Sequence, residues 1–224
     1  MKRAMMPIIV VLVVAFMVAG FSGIVLRDEY ASFRQIETGG DAALLRLRGD
    51  EDLSFETWAV RTQESVLEMC NEALVAPLAS VIERDNYTRI ALQCLDYAKE
   101  ISDTTPPWGL AQFSVARASF SAGDIDAAQD ALAISAHVAP FEGWVGKKRV
   151  LLAISMPETE IVNEVLAQDI QMLLSEDRSQ IWVAQLFVSS PDAQNRITSI
   201  AETLPPSTQR KFLSKVSKIS REGA

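Results

Sequence analysis

Gly109 to Glu142 reads GLAQFSVARASFSAGDIDAAQDALAISAHVAPFE, and this stretch decides the fold. A first helix is expected to run to about Phe120, with Pro106 or Pro107 in its first turn, where a missing N–H costs nothing. Gly123 and Asp124 form a turn, Ile125 to Val138 follows with many residues of the strong helix former Ala, and Pro140 stops it. Ala116, Ala128 and Ser135 are small enough to let two paired helices approach closely, while Val115, Phe120 and Leu132 fill the space between them. The stretch therefore reads as an antiparallel helical hairpin.

Those positions resemble a tetratricopeptide repeat, a helix-turn-helix unit of about 34 residues. Val115, Ala116 and Phe120 stand where the family keeps small and apolar residues in its first helix. Gly123 and Asp124 match its turn, Ala128, Leu132 and Ser135 its second helix, and Pro140 its end. Gln112 departs from the large apolar residue usual at its position, and Ser119 from the usual Tyr. Neighbouring segments match more loosely: Tyr87, Ile90, Cys94 and Tyr97 before it, and Trp144, Leu151, Leu152 and Ile154 after it. The resemblance implies an all-α fold of antiparallel hairpins stacked as a solenoid, with protein contacts on the concave face. The Lys and Asn arrangement with which some members clamp a carboxylate is not discernible.

Working outward, the apolar spacing of Trp58, Val60, Val66, Leu67, Cys70, Leu74, Leu78 and Ile82 predicts a helical run from Ser54 that Pro77 divides or bends. The polar group Glu83 to Asn86 separates it from a helix over Tyr87 to Ile101. Further helices are predicted over 144–155, 158–174, 179–188, 192–203 and 208–220, with Ser190 and Ser207 as N-terminal caps. Connections this short imply antiparallel neighbours. Upstream, Asp28 to Glu37 continues a helix, Thr38 to Asp41 breaks it, and Ala42 to Arg48 forms a turn or short strand.

The N-terminal segment is of another kind. Lys2 and Arg3 precede an uncharged run from Ala4 to Leu26, of which Pro7 to Leu26 alone is 20 residues. Such a helix rises about 30 Å, the thickness of a bilayer's hydrocarbon core. A basic flank before the run and Asp28 and Glu29 after it predict a cytoplasmic N-terminus and a translocated body, the topology of a single-pass bacterial inner-membrane protein with a periplasmic domain. The competing readings are a cleaved secretory signal, with Ala19 and Gly20 as its small residues, and a buried core helix. Ala15, Ala19 and Gly23 share one helical face, the small-residue spacing of a self-association interface within membranes. The expected organisation is thus a cytoplasmic 1–6, an anchor 7–26, a connector 27–53, a helical domain 54–206 and a basic helix with tail 207–224.

All 29 acidic residues lie beyond Leu26, against 19 of the 21 Lys and Arg, giving that part a formal charge of −10. This argues against nucleic acid as a partner and against broad adhesion to anionic lipid. Cys70 and Cys94 are too few for a disulfide framework. On the arms of one hairpin they lie nearly equally far from its turn, and in a translocated domain either a packed thiol pair or a disulfide closing a loop of roughly 25 residues suits them.

Chemistry is sparse. The single His137 stands near the end of an Ala-rich helix, where a positive side chain is favoured by the dipole; a triad with Asp130 or Asp124 is the weaker reading. No phosphate-binding loop, Gly-x-Ser-x-Gly or zinc-binding histidine pair is present, and no cofactor is implied. Asp124, Asp126, Glu158 and Glu160 read as helix-start acids. Candidate partner-binding residues are the aromatic Trp108 and Trp144 and the basic run Lys147, Lys148 and Arg149 beside Trp144. The last helix adds Arg210, Lys211, Lys215, Lys218 and Arg221 against Glu222, with Phe212, Leu213, Val216 and Ile219 as its apolar stripe. That stripe suits docking on its own domain, a membrane surface or a partner. The resulting expectation is a membrane-tethered interaction scaffold for envelope proteins, which by family analogy accompanies polysaccharide assembly or secretion. A glycan-processing or hydrolytic enzyme with a dispersed site, and a structural subunit of a larger membrane complex, stand as alternatives.

Overall fold

The computed structural model describes residues 2–36, 40–49 and 59–222. Every regular element among them is helical: α1 (Lys2–Ile36), α2 (Gly40–Arg48), α3 (Val60–Ala73), a 3-10 turn (Pro77–Ser80), α4 (Arg84–Thr104), α5 (Gly109–Ala122), α6 (Ile125–Val138), α7 (Gly143–Ser155), α8 (Glu160–Ser175), α9 (Asp177–Ser189), α10 (Pro191–Glu202) and α11 (Pro206–Glu222). The chain divides into two compact units, Met1–Tyr87 and Thr88–Ala224.

In the first unit, α1 is long and apolar enough to cross a membrane, and none of its Val10–Arg27 stretch is buried within the protein. Backbones of α1 and α2 pack on α3. The turn or strand expected over Ala42 to Arg48 is instead α2, because Ala43, Leu44 and Leu47 bury one helical face. Thr38 and Gly39 lie outside the described residues, while Gly40 and Asp41 open this helix rather than break one. Asp41 accepts a hydrogen bond from the Leu78 amide at 3.0 Å, which ties α2 to the 3-10 turn. On α3, Val66, Leu67 and Cys70 are buried as their spacing predicts. Val60 is 63% exposed because it is the first residue of the helix, before the packed turns begin. Trp58 lies outside the described residues. The polar group read as a break before Tyr87 supplies the first turn of α4, with Asp85 at the helix start, where an acid interacts favourably with the dipole.

The second unit is organised by the α5–α6 hairpin. Gly123 takes the left-handed conformation at the C-cap of α5, with φ 92°, which glycine adopts without a Cβ penalty. Asp124 then caps α6 by accepting from the Ala127 amide at 3.1 Å. Ala116, Ala128, Leu132 and Ser135 are all fully buried. A Cβ on Gly109 would fall 2.2 Å from the Ala139 Cβ, so only glycine permits this approach of the hairpin's two ends. Pro106 and Pro107 precede α5 instead of opening it, with Trp108 at the N-cap. A residue followed by proline is driven from the helical region, so consecutive prolines delay the helix.

Helices α7 and α8 pair, as do α9 and α10, and α8 packs on both α6 and α9. The C-terminal α11 lies against α9, with the Phe187 and Phe212 rings edge-to-face at 5.7 Å. Ser190 occupies the N-cap of α10 without a side-chain capping bond. Ser207 is not a cap, since α11 already begins at Pro206, whose fixed φ suits a first turn.

Candidate functional site

Helix α7 carries four of the predicted binding residues, Trp144, Lys147, Lys148 and Arg149, and its two faces divide them. Val145, Gly146, Arg149, Val150, Leu152 and Ala153 point inward and are buried. Trp144 and Leu151 are exposed, at 43% and 44%, with Lys147 and Lys148 half-buried between them. Spacings of three, four and seven residues put this set on one side of the helix. Helix α9 extends that side through Trp182, whose ring centre lies 5.8 Å from the Lys147 ammonium. The result is a face of aromatic and aliphatic side chains with lysine set among them. A cation over an indole stays solvated on its outer side, and Trp is among the favoured anchors in protein interfaces.

Arg149 does not belong to this surface, contrary to its expected place in a basic patch. It is fully buried, and its Nε donates to Asp169 Oδ2 at 2.8 Å while Nη2 donates to the other carboxylate oxygen. The same guanidinium donates through Nη1 to the Ser135 carbonyl at 3.2 Å and through Nη2 to the Ala139 carbonyl at 3.3 Å. It thereby adds a second hydrogen bond to two carbonyls at the C-terminal end of α6, which already accept from the Ala139 and Glu142 amides. The Ser135 hydroxyl in turn donates to the Gly109 carbonyl at 2.8 Å. One hydrogen-bonded chain therefore runs from α5 through α6 and α7 to α8. Burial pushes the Asp169 carboxyl above the usual carboxylate range, while the hydrogen bonds and charge of Arg149 pull it back toward the ionised form. Enclosed at zero exposure, this pair holds helices together and meets no outside molecule.

The sequence held a signal for this node that charge alone concealed. Arg149 lies four residues after Val145 and three before Leu152, and Asp169 lies three after Leu166 and four before Leu173, so each stands within an apolar stripe. A cation and an anion at core positions of successive helices mark a buried pair.

The remaining predicted residues are dispersed. Trp108 is half-buried at the start of α5. Lys215 turns inward, donating to the Asp177 carbonyl at 2.7 Å and Gln180 Oε1 at 2.8 Å, so it fixes α11 to α9 and is not a free surface cation. Lys211 is 3.7 Å from the Asp177 carboxylate, and Arg210 is exposed. On α1, Ala15, Ala19 and Gly23 are exposed. Cys70 and Cys94 are buried and disulfide-bonded, and no free thiol is present among the described residues.

His137 is exposed on the last turn of α6 and lines a groove of about 360 Å³ with Pro140, Ile161, Glu164 and Gln168. A second cleft of about 350 Å³ lies between α8 and α10, bordered by Glu158, Asn163 and Arg196. Arg196 donates to the Ala153 carbonyl at 2.8 Å and to Asn163 Oδ1 at 2.9 Å, so two of its nitrogens are committed to joining α7, α8 and α10. Among the described residues, no group of three or more His, Cys, Asp or Glu side chains is placed to hold a metal ion. No protein-family model matches the sequence, and no solved structure matches the fold.

Proposed function

We propose that this chain is a single-pass membrane-tethered scaffold whose tetratricopeptide-like helical hairpins bind another envelope protein through the outer face of α7 and α9. The observation that carries the reading is the exposed pair Trp144 and Leu151 on the side of α7 that carries the Lys147–Trp182 contact. Large apolar groups clustered at a surface and rimmed by polar groups mark an interaction site. On a translocated part of formal charge −10, those lysines favour an acidic, apolar partner segment. Helical pairing of α5 with α6, α7 with α8 and α9 with α10 supports a short solenoid as the platform.

In this proposal α1 is the anchor, its N-terminus is cytoplasmic, and the remaining helices lie in the periplasm of a bacterium. Disulfide-bonded Cys70 and Cys94 support that side, since such bonds persist in oxidising compartments. Tethering raises the local concentration of the bound protein at the bilayer. The role is binding and not catalysis, as an accessory to polysaccharide assembly or secretion, and Ala15, Ala19 and Gly23 form the face through which two anchors associate.

The test is recovery of partners by the full chain in mild detergent, followed by mass spectrometry. A Trp144→Ala, Lys147→Glu variant should lose the proteins recovered by the wild type while keeping its circular dichroism spectrum. Unchanged recovery would remove this face from the proposal. A reporter fused after Ala224 should be active only on the translocated side, and cytoplasmic activity would reverse the topology.

A further inference from the structure

Helix α11 uses one side to dock and leaves the other unpartnered. Phe212 is buried against Phe187, and Lys215 reaches Asp177 and Gln180. At 100° per residue, Thr208, Gln209, Val216 and Ile219 fall on that same arc, and all four are half-buried. Opposite them lie Arg210, Lys211, Leu213, Ser214, Ser217, Lys218 and Arg221, all exposed. The outer arc thus presents four cations against the single Glu222, with Leu213 at 59% exposure and serines between the charges.

Their fixed partners are weak. Lys211 and Lys218 meet carboxylates only at 3.7 and 3.8 Å on exposed positions, and such pairs hold their charges loosely. Arg210 lies back on the Pro206 carbonyl and Arg221 on the Ser217 carbonyl and hydroxyl. These are neutral acceptors, so both guanidiniums keep their full charge at the surface.

We infer that the outer face of α11 lies on an anionic phospholipid surface, with Arg210, Lys211, Lys218 and Arg221 contacting headgroup phosphates and Leu213 entering the interface. A cation beside an anionic bilayer is favoured by about fivefold in partition, and several on one face multiply that factor. A single exposed leucine adds little by itself, so charge selects the surface. The chain as a whole is acidic, and this helix concentrates positive charge on the side its own domain does not cover. The inference rests on α1 being a membrane anchor, which keeps a bilayer within reach of the chain.

The experiment uses the full chain with Ser214→Cys, nitroxide-labelled at that site, in nanodiscs of phosphatidylcholine alone or mixed with phosphatidylglycerol. Because Cys70 and Cys94 are disulfide-bonded, the new thiol is the labelling position. Collision of the label with a water-soluble nickel chelate should fall several-fold when phosphatidylglycerol is present. It should recover with Arg210→Glu, Lys218→Glu and Arg221→Glu combined, and also at 1 M salt, where the Debye length is about 3 Å. Equal access in both lipids, or an equal fall in both, would overturn the inference. So would loss of a co-purifying protein from the charge-reversed variant with label access unchanged, an outcome that gives this face to a protein. Circular dichroism of the variant verifies folding. Extraction of membranes at alkaline pH tests the anchor separately. Release of the chain with lipid-dependent access intact would retire α1 as an anchor and leave the α11 face standing.

Discussion

Lys147 and Arg149 leave α7 two residues apart and end in opposite surroundings. Lys147 lies at the surface over the Trp182 ring, whereas Arg149 is enclosed and joins α6 and α8. Two residues on a helix turn the side chain by about 200°, so adjacent charges of a basic run must part company. The chemistry then suits the place. Arginine's planar fork can satisfy a carboxylate and two carbonyls at once, which a lysine ammonium cannot. A lysine over an indole keeps water on its other side. A run of like charges in sequence is therefore a poor guide to a patch until its helical phase is read.

The largest effect should come from breaking the enclosed side. Asp169→Ala leaves the Arg149 guanidinium buried without its counter-ion, and loss of one partner from a buried pair costs about 3–5 kcal/mol. Chemical denaturation should show this as a marked fall in midpoint. The paired change Arg149→Met with Asp169→Leu removes both charges and keeps apolar volume, so it should regain most of the loss. A double variant as unstable as Asp169→Ala would show that the pair's geometry, and not its uncompensated charge, sets the stability.

Smaller losses should follow from crowding the hairpin that the chain of bonds begins on. Ala128→Leu adds volume at a fully buried crossing of α5 with α6, and overpacking of this kind costs about 1–3 kcal/mol. Gly109→Ala places a Cβ against Ala139 and should cost a similar amount. Both should lower the melting temperature of the full chain without removing its helical signal. An unchanged melting temperature for Ala128→Leu would mean that the hairpin relaxes freely, and the close-packed repeat-like crossing would be wrong.

These residues also show what was readable beforehand. The α5–α6 hairpin was legible because glycine, a capping acid and small residues each act within a few positions. The apolar length of α1 was legible for the same reason. Boundaries differ where polar residues enter a helix: Arg84 and Asp85 open α4 on an exposed first turn, and Gly40 and Asp41 open α2, where the Leu78 amide holds the Asp41 carboxylate. The α7 surface was half legible. Trp144 and Lys147 could be singled out by type, but Trp182 joins them only through the packing of α9, thirty-five positions later. Arg149 belongs to the basic run by charge and to the core by helical phase, and phase decides its place. Lys215 turned inward because α9 offers a backbone carbonyl and Gln180, neither of which any local pattern announces.

The smallest stability effect, and the sharpest functional one, is expected on the open side of α7. Lys147→Ala removes one cation–π contact at a partly exposed site, worth about 0.5–1 kcal/mol, so the melting temperature should hardly move. Partner recovery should nonetheless fall, because the ammonium both orients Trp182 and supplies the charge that an acidic segment meets. Lys147→Arg discriminates between these two roles. A guanidinium also stacks on an indole and keeps the charge, so it should restore recovery; Lys147→Met fills the same space without charge and should not. If Met restores binding as well as Arg, the face works through its apolar area around Trp144 and Leu151, and recovery should then persist at high salt. If only Arg restores it, recovery should weaken as salt rises, since exposed charges more than a Debye length apart are screened. The same α7 would then carry one arginine for folding and one lysine for recognition, separated by helical phase alone.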